Sequence, residues 1–203
     1  MNGDTAVRTG LLIVGPIPPP YNGMTVFVET LLHSGLKVRF RLLHIDTIDH
    51  RRSPNMGRLN LSTLFLALRN IVRVCRTILG ESPALVYLPI SPTVLGLLRD
   101  SVFILESKIL RRKVVIHLHG GRYIHTVYTQ APSIVRAIVR LACQSVERAI
   151  VLQDSFLDAF DGLIPSARFW ATVTGFAHSA AWIITVWLAA TISSGPSVPS
   201  VAW

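Results

Sequence analysis

Cysteine and lysine are scarce in this 203-residue chain, and each shortage narrows the possible classes of protein. The two cysteines, Cys75 and Cys143, are too few for a disulfide framework and are not spaced as metal ligands. The sequence therefore predicts no metal site and a reducing, cytoplasmic location. Only three of the 20 basic residues are lysines, so arginine carries most of the formal net charge of +9. A positive excess is typical of chains that bind phosphorylated substrates, anionic lipids or nucleic acids.

Charged residues are missing from the end of the chain. Every lysine, arginine, aspartate and glutamate lies at or before Arg168, and all four tryptophans follow it. The net charge therefore belongs to the body of the chain that ends at Arg168. The N-terminal residues contain an acid and a short apolar run that meets prolines, which is not the pattern of a signal peptide.

Within the charged body, short apolar runs alternate with helical patterns. Uniformly apolar strands separated by helices predict an α/β fold, in which helices cover both faces of a parallel sheet. We expect right-handed crossovers, with ligands at the carboxyl ends of the strands. The predicted strands are residues 11–14, 37–45, 84–88, 113–118, 148–152 and 169–173, and the predicted helices are residues 24–33, 61–79 (ended by Gly80), 93–110, 132–145 and 154–160.

The first predicted strand runs into a proline-rich loop, GPIPPPYNGMT, that leads into a helix. Asn22 and Gly23 tolerate backbone conformations that most side chains disfavour, and Gly23 lets a ligand approach the chain. The N–H groups that begin the next helix are suited to a phosphate. The alternative is a proline-stiffened connection without a ligand. Neither GxGxxG nor GK[ST] is present, so the loop is not a dinucleotide fingerprint or a P-loop.

The fourth predicted strand ends in the segment HLHGGR, residues 117–122. Alternation along a strand places His117 and His119 on the same side, and His119 is the nearer to the carboxyl end. The two glycines allow close backbone approach, and Arg122 is suited to face a phosphate. The alternative is a hydrogen-bonded histidine at a strand end. A metal site would need a third ligand, which the sequence does not supply.

Two aspartates also follow predicted strands. Asp46 could hold a ribose, although a solvated loop carboxylate is the better interpretation without the glycine fingerprint. Asp154 begins the helix after the fifth strand and is most simply a helix N-cap. The chain lacks a G-x-S-x-G elbow, so the sequence does not predict Ser-His-Asp catalysis.

Residues 50–80 contain six arginines and no acid. On the predicted helix 61–79, Arg69, Arg73 and Arg76 lie beside an apolar face. This arrangement is typical of a helix that lies on an anionic membrane. The alternative is a helix packed on the core, with its arginines in solvent. Nucleic acid is a less suitable partner, because no aromatic stacking residues are interleaved here.

Three segments, taken in order, resemble the N-terminal domain of family-4 (group 1) glycosyltransferases. They are the strand-loop-helix LLIVGPIPPPYNGMTVFVETLL, the strand end VVIHLHGG and the strand-helix ERAIVLQDSF. The resemblance covers residues 10–175. It implies the N-terminal half of a GT-B fold, which has two Rossmann-like domains, and a retaining hexosyl transfer from a nucleotide sugar. The resemblance implies no cofactor.

The resemblance also implies roles for individual residues. The N-terminal domain of the family mainly binds the acceptor, its first loop approaches the donor, and its His-x-His-Gly histidine lies near the transferred sugar. That histidine corresponds to His119, which is the expected catalytic residue. The chain has Met24 where many relatives have a second loop glycine. The residues expected to contact donor or acceptor are Asn22, Gly23, Met24, Thr25, Gly120, Gly121 and Arg122.

The resemblance stops where the family's nucleotide-binding domain would begin. That domain supplies two glutamates separated by seven residues, and this chain has no glutamate after Arg168. Because catalysis needs preorganised groups around the leaving phosphate, we expect negligible transfer by this chain alone. The expected partners are a glycan or lipid-linked acceptor, and a nucleotide-sugar donor only when a C-terminal domain is supplied.

The chain is expected to divide into an extension (residues 1–9), the glycosyltransferase-like domain (10–175) and an uncharged tail (176–203). Residues 176–194 include 13 apolar residues, enough for a marginal membrane span. A shifted reading frame or truncated gene would give the same abrupt change, and we favour that interpretation. The expected location is the cytoplasm, peripheral to or anchored in the inner face of the plasma membrane.

Other functions stay open at this point. The chain could be a non-catalytic partner of a separately encoded donor domain. A Rossmann-type nucleotide-dependent oxidoreductase is disfavoured, because GxGxxG is missing. A small membrane protein anchored by residues 176–194 is the fourth possibility. The charge pattern favours an anionic membrane or phosphorylated ligands, and no nucleic-acid partner is expected.

Overall fold

The computed structural model describes residues 8–48, 61–120, 123–152, 156, 158, 160–165 and 168–171. Within these ranges six parallel strands form one sheet in the order β2-β1-β3-β4-β5-β6. The α/β fold with a parallel sheet is therefore confirmed. The strands are β1 (Thr9–Val14), β2 (Phe40–Ile45), β3 (Leu85–Pro89), β4 (Lys113–Leu118), β5 (Arg148–Val151) and β6 (Phe169–Ala171).

Helices connect the strands, and three of them differ from the sequence prediction. The helices are α1 (Gly23–His33), α2 (Leu36–Arg39), α3 (Leu61–Glu81), α4 (Val94–Ile109), α5 (Tyr123–Gln130) and α6 (Ser133–Ser145). Residues 37–39 were predicted as the beginning of the strand 37–45, which is wrong: they belong to one helical turn that buries Leu36 and leaves the next three residues in solvent. Helix α5 was not predicted.

Helix α3 continues through Gly80, where the sequence predicted its end. Arg41 of β2 holds its last residue, Glu81. The Arg41 guanidinium pairs with the Glu81 carboxylate and donates a hydrogen bond of 2.7 Å to the Glu81 carbonyl. The next residue, Ser82, has φ +47°, and this left-handed conformation ends the helix. A contact distant in sequence therefore outweighs the low helix propensity of glycine.

Alternate residues of each central strand face two separate hydrophobic clusters. In β3, Leu85 and Tyr87 belong to the cluster under α1 and α2, whereas Val86 and Leu88 belong to the cluster under α3, α4 and α6. All five residues of β3 are buried. Burial on both faces explains why the strands are continuous apolar runs rather than alternating ones.

The strand order reverses at β1, and this reversal determines where a ligand can bind. The chain passes from β1 to β2 on one side and then returns to place β3 on the other side of β1. In open α/β sheets, ligands bind beside such a reversal, at the edge formed by the carboxyl ends of the strands. The first loop and the segment after β4 both lie at this edge.

Several predictions lie outside the described residues. These are the roles of Gly121 and Arg122, the cap at Asp154, the loop between residues 49 and 59, and the tail from residue 176. In the part of the chain that the structure describes, none of the helices combines the length and apolar character that a membrane span requires.

Candidate functional site

The first loop is held to the start of α1 by a capping box. The Asn22 side chain accepts hydrogen bonds of 3.1 Å from the N–H groups of Met24 and Thr25. In return, Thr25 Oγ1 accepts from the Asn22 N–H at 3.0 Å and donates to the Pro20 carbonyl at 2.8 Å. Two of the helix N–H groups expected for a phosphate are thus already satisfied by the chain itself. Thr25 is fully buried and stabilises the loop.

The two loop residues predicted to have unusual backbone conformations have ordinary ones. Asn22 is extended (φ −149°, ψ 171°), as a helix N-cap should be. Gly23 has no positive φ, so the proposed conformational reason for glycine there is wrong. The steric reason stays consistent with the structure, because a Cβ at Gly23 would meet nothing within 4 Å and the space beside it is open.

A glycine that the sequence marked only as the start of the first loop lets four elements meet. A Cβ on Gly15, which follows β1, would lie 2.8 Å from Pro89 Cγ at the end of β3 and 3.2 Å from Val28 of α1. The Gly15 N–H donates to the Ile45 carbonyl at 3.1 Å, and its carbonyl accepts from His44 Nε2–H at 2.9 Å. Gly15 thereby joins β1, β2, β3 and α1 at the carboxyl edge.

His117 at the end of β4 and His119 just after it lie side by side, which confirms the prediction that they share one side of the chain. Their ring centroids are 3.8 Å apart. Phe27 of α1 packs against both, with its centroid 5.0 Å from that of His117 and 4.6 Å from that of His119. The Tyr87 hydroxyl of β3 lies 2.7 Å from His117 Nδ1 and 3.3 Å from His119 Nε2. Helix α1 therefore connects the first loop to the histidine pair.

Burial keeps this cluster uncharged at neutral pH. It lowers the pKa of His119 to about 4. The pKa of His117 is lowered well below its ordinary value, first by burial and then by the neighbouring His119. Burial raises the pKa of Tyr87. Neutral imidazoles accept and donate hydrogen bonds but do not pair with anions, so the cluster suits hydroxyl groups better than phosphate.

The position after the histidine pair, Gly120, requires glycine for two reasons, its backbone conformation and the lack of space for a side chain. Its φ is +155°, a conformation that residues with a side chain rarely adopt, and a Cβ there would lie 2.8 Å from the Tyr123 ring. Tyr123 in turn donates a hydrogen bond of 2.8 Å to the Ile90 carbonyl. The chain after β4 is thereby held against the chain after β3.

A buried ion pair that sequence reasoning missed supports the segment after β3. Asp100 of α4 is fully buried, and its carboxylate accepts from the Ser91 N–H at 2.8 Å. Arg99 donates to the same carboxylate at 2.7 and 2.9 Å, and to Ser91 Oγ at 2.8 Å. The only sequence signal was an adjacent Arg and Asp within a largely apolar stretch of the helix. We name Asp100, Arg99 and Ser91 the Asp100 brace.

Helix α3, which carries the arginines, lies on the face of the sheet opposite α1. Helix α3 buries Asn70, Val74 and Ile78, and all three predicted membrane-facing arginines, Arg69, Arg73 and Arg76, are exposed. The apolar residues beside them are exposed as well, by 42% to 86% of their surface. They form what we call the α3 stripe, which consists of Leu61, Leu64, Phe65, Leu68, Val72 and Leu79.

Comparisons with known proteins give a fold likeness only. No protein-family model matches the chain, and neither does any curated protein. The structure of S. aureus MnaA with UDP matches with a TM-score of 0.53 and 12% identity, over 96% of this chain and 49% of that one. A Listeria monocytogenes protein described as a UDP-N-acetylglucosamine 2-epimerase matches with a TM-score of 0.52 and 10% identity, over 80% and 44%.

The chain therefore spans about half the length of the solved structures it matches. It has the Rossmann-like α/β fold of one half of a GT-B-like protein. At such low identities the likeness does not choose between glycosyl transfer and other chemistry on this fold.

Proposed function

We propose that this chain is the acceptor-binding half of a nucleotide-sugar-dependent retaining glycosyltransferase, similar to the N-terminal domain of family 4. The observation that carries the proposal is the position of His119. It lies at the carboxyl edge of a parallel sheet whose strand order reverses nearby, and it packs on the helix that follows the first loop. Ligands of open α/β sheets bind at such an edge.

The chemistry of the edge fits a sugar better than a phosphate. His119 is neutral at pH 7 and has ring nitrogens that can contact a sugar hydroxyl. The open space beside Gly23 lets a ligand approach the chain, and Met24 follows at the surface of the first turn. Phosphate contacts by Gly121 and Arg122 stay predictions. The groups that stabilise the negative charge of the leaving nucleotide would come from a second domain.

The binding proposal can be tested by NMR titration of the 203-residue chain with a neutral saccharide, N-acetylglucosamine, or with inorganic phosphate. The saccharide should shift the signals of His119, Gly120 and Gly23 more than phosphate does, because the neutral cluster suits hydroxyl groups better than anions. The variant His119→Gln should lose this difference. The matched control is His125→Gln, since His125 is exposed on α5 and has no part in the edge. Equal shifts with both ligands, or none, would contradict the proposal.

A second measurement concerns activity. The purified chain should transfer no sugar from UDP-N-acetylglucosamine to added saccharides, because the groups that stabilise the leaving nucleotide belong to the other half of a GT-B fold. Measurable sugar transfer by this chain alone would show that it is not an acceptor half.

A peripheral membrane function is supported by a separate observation, the α3 stripe. We propose that the stripe and its arginines lie on an anionic bilayer. At 100° per residue the stripe occupies one side of α3, and Arg69, Arg73 and Arg76 follow it on a single flank. No acid occurs in α3 before Glu81, so this surface complements negatively charged lipid headgroups. Exposed apolar side chains bordered by arginine are typical of helices in the membrane interface.

The size of the effect follows from the number of arginines. Each basic residue near an anionic surface contributes about 1 kcal/mol to binding. The variant with Arg69, Arg73 and Arg76 all changed to Gln should therefore bind anionic vesicles about 100-fold more weakly. Sedimentation with phosphatidylglycerol-containing vesicles measures this loss, and vesicles of phosphatidylcholine alone should bind little of either chain.

Matched variants test whether vesicle binding depends on the α3 stripe and its arginines or only on the charge and hydrophobicity of the whole chain. Changing Lys37, Arg39 and Arg140 to Gln removes the same charge from other exposed positions and should have little effect. Phe65→Glu should abolish binding, whereas Ile134→Glu, at an exposed apolar position of α6, should not. If Phe65→Glu instead dissociates a dimer and leaves vesicle binding intact, the stripe is a contact between copies and the membrane proposal is wrong.

A further inference from the structure

One hydroxyl group lies between the two stacked histidines. Tyr87 is fully buried in β3, and its oxygen is 2.7 Å from His117 Nδ1 and 3.3 Å from His119 Nε2. A phenol has one proton to donate, and its oxygen can accept another. Since both imidazoles are neutral, Tyr87 can donate to one ring only while it accepts from the N–H of the other.

This arrangement links the proton positions of the two rings. If Tyr87 donates to His117 Nδ1, the His117 proton is on Nε2, and His119 donates from its own Nε2. If Tyr87 donates to His119 Nε2 instead, both rings carry their protons on Nδ1. The two histidines must therefore adopt the same tautomer, whichever it is.

The distances select one of the two arrangements. Hydroxyl donors most often give contacts of about 2.7–2.8 Å and N–H donors contacts of about 2.9–3.0 Å, so the shorter contact, of 2.7 Å, is assigned to the Tyr87 hydroxyl as donor. His117 Nε2 has no partner among the described residues; it is an unpaired N–H in the first arrangement and an unpaired acceptor in the second. Tyr87 is thus expected to donate to His117 and to accept from His119.

We infer that Tyr87 is a positioning residue that keeps the proton of His119 on Nε2 and so leaves His119 Nδ1 as a hydrogen-bond acceptor. The Phe27 ring, packed against both imidazoles, restricts their rotation. His119 Nδ1 makes no hydrogen bond to the residues that the structure describes, and it is available to a hydroxyl group of a ligand. This last step rests on the proposed sugar-binding function; the tautomer assignment does not.

The test is ¹⁵N NMR of the histidine rings in the full chain without ligand. Two-bond ¹H–¹⁵N correlations identify which ring nitrogen carries the proton, and the variants His117→Gln and His119→Gln assign the signals. Both rings should carry the proton on Nε2. Opposite tautomers, or protons on Nδ1 in both rings, would overturn the inference, and this measurement needs no variant of Tyr87.

The variant Tyr87→Phe provides the second arm. It removes the hydroxyl and keeps the ring, so His119 should become a mixture of tautomers and the sharp Nε2–H signal should be lost. Tyr128→Phe, on α5, is the matched control and should leave the histidine signals unchanged. An unaltered His119 tautomer in Tyr87→Phe would refute the positioning role. A confirmed tautomer without any shift on adding N-acetylglucosamine would refute the sugar-binding proposal alone.

Discussion

Replacement of Asp100 by Ala is expected to be among the most destabilising changes at the carboxyl edge. The substitution removes a fully buried carboxylate that accepts three hydrogen bonds, one from the Ser91 N–H and two from Arg99. It leaves the Ser91 N–H and the Arg99 guanidinium without their partner. The methyl group of alanine also fills only part of the space that the carboxylate occupied.

The expected loss in the free energy of unfolding is about 3 kcal/mol. Removing one partner of a buried ion pair costs about 3–5 kcal/mol, because the other charge is left uncompensated. The lower end of this energy range applies to Asp100→Ala, since the Arg99 side chain is 24% exposed and keeps its hydrogen bond to Ser91 Oγ. Such a loss is a large fraction of the stability of an ordinary domain.

Urea unfolding of Asp100→Ala, Arg99→Leu and the double variant measures this energy and its origin. In the Arg99→Leu chain the buried Asp100 carboxylate keeps only the Ser91 N–H, so a similar loss is expected. The double variant should be more stable than the sum of the two losses predicts, by about 2 kcal/mol, because neither charge is then left alone. A loss below about 1 kcal/mol for Asp100→Ala, or simple additivity, would refute the reasoning.

Three further outcomes follow from the same structure. Gly120→Ala should destabilise the chain by about 2 kcal/mol in urea unfolding, since its φ is +155° and Tyr123 occupies the space, whereas Gly23→Ala should change little. Burial lowers the pKa of His119 from 6.5 to about 4, so the unfolded chain binds a proton at a higher pH than the folded chain does. The free energy of unfolding should therefore fall as the pH drops from 6.5 to about 4, and it should fall less steeply in His119→Gln. Burial raises the pKa of the half-buried Glu106 from 4.5 to about 7, so Glu106 affects the pH dependence of stability with the opposite sign. The free energy of unfolding should fall as the pH rises from 4.5 to about 7, and Glu106→Gln should recover about 1 kcal/mol at pH 8 in urea unfolding.

Local patterns predicted most of the strands correctly, because burial on both faces demands continuous apolar runs. The strand at residues 113–118 has the predicted limits, and alternation placed His117 and His119 on one side. Local patterns failed where a distant contact decides the conformation. The helix limit at Gly80 is displaced by Arg41, and residues 37–39, which were predicted as strand, belong to a helical turn that buries Leu36.

For α3, periodicity identified an apolar side with arginines beside it but could not say whether that side meets the core. The structure buries a different set, around Val74, and exposes the α3 stripe. Likewise, no spacing in the sequence connects Tyr87 to the histidines 30 and 32 residues later, or Asp100 to Ser91. These contacts join strands, a helix and loops that are separate in the sequence.

The sequence by itself determined the fold class, the position of the sheet edge where we propose that a ligand binds, and the break in charge after Arg168, since each depends on the pattern of residues along the chain. The tertiary structure decided which groups surround His119, that burial keeps it neutral, and which side of α3 faces solvent. Hydrogen bonding and desolvation depend on neighbours that only the parallel sheet and its crossovers bring together.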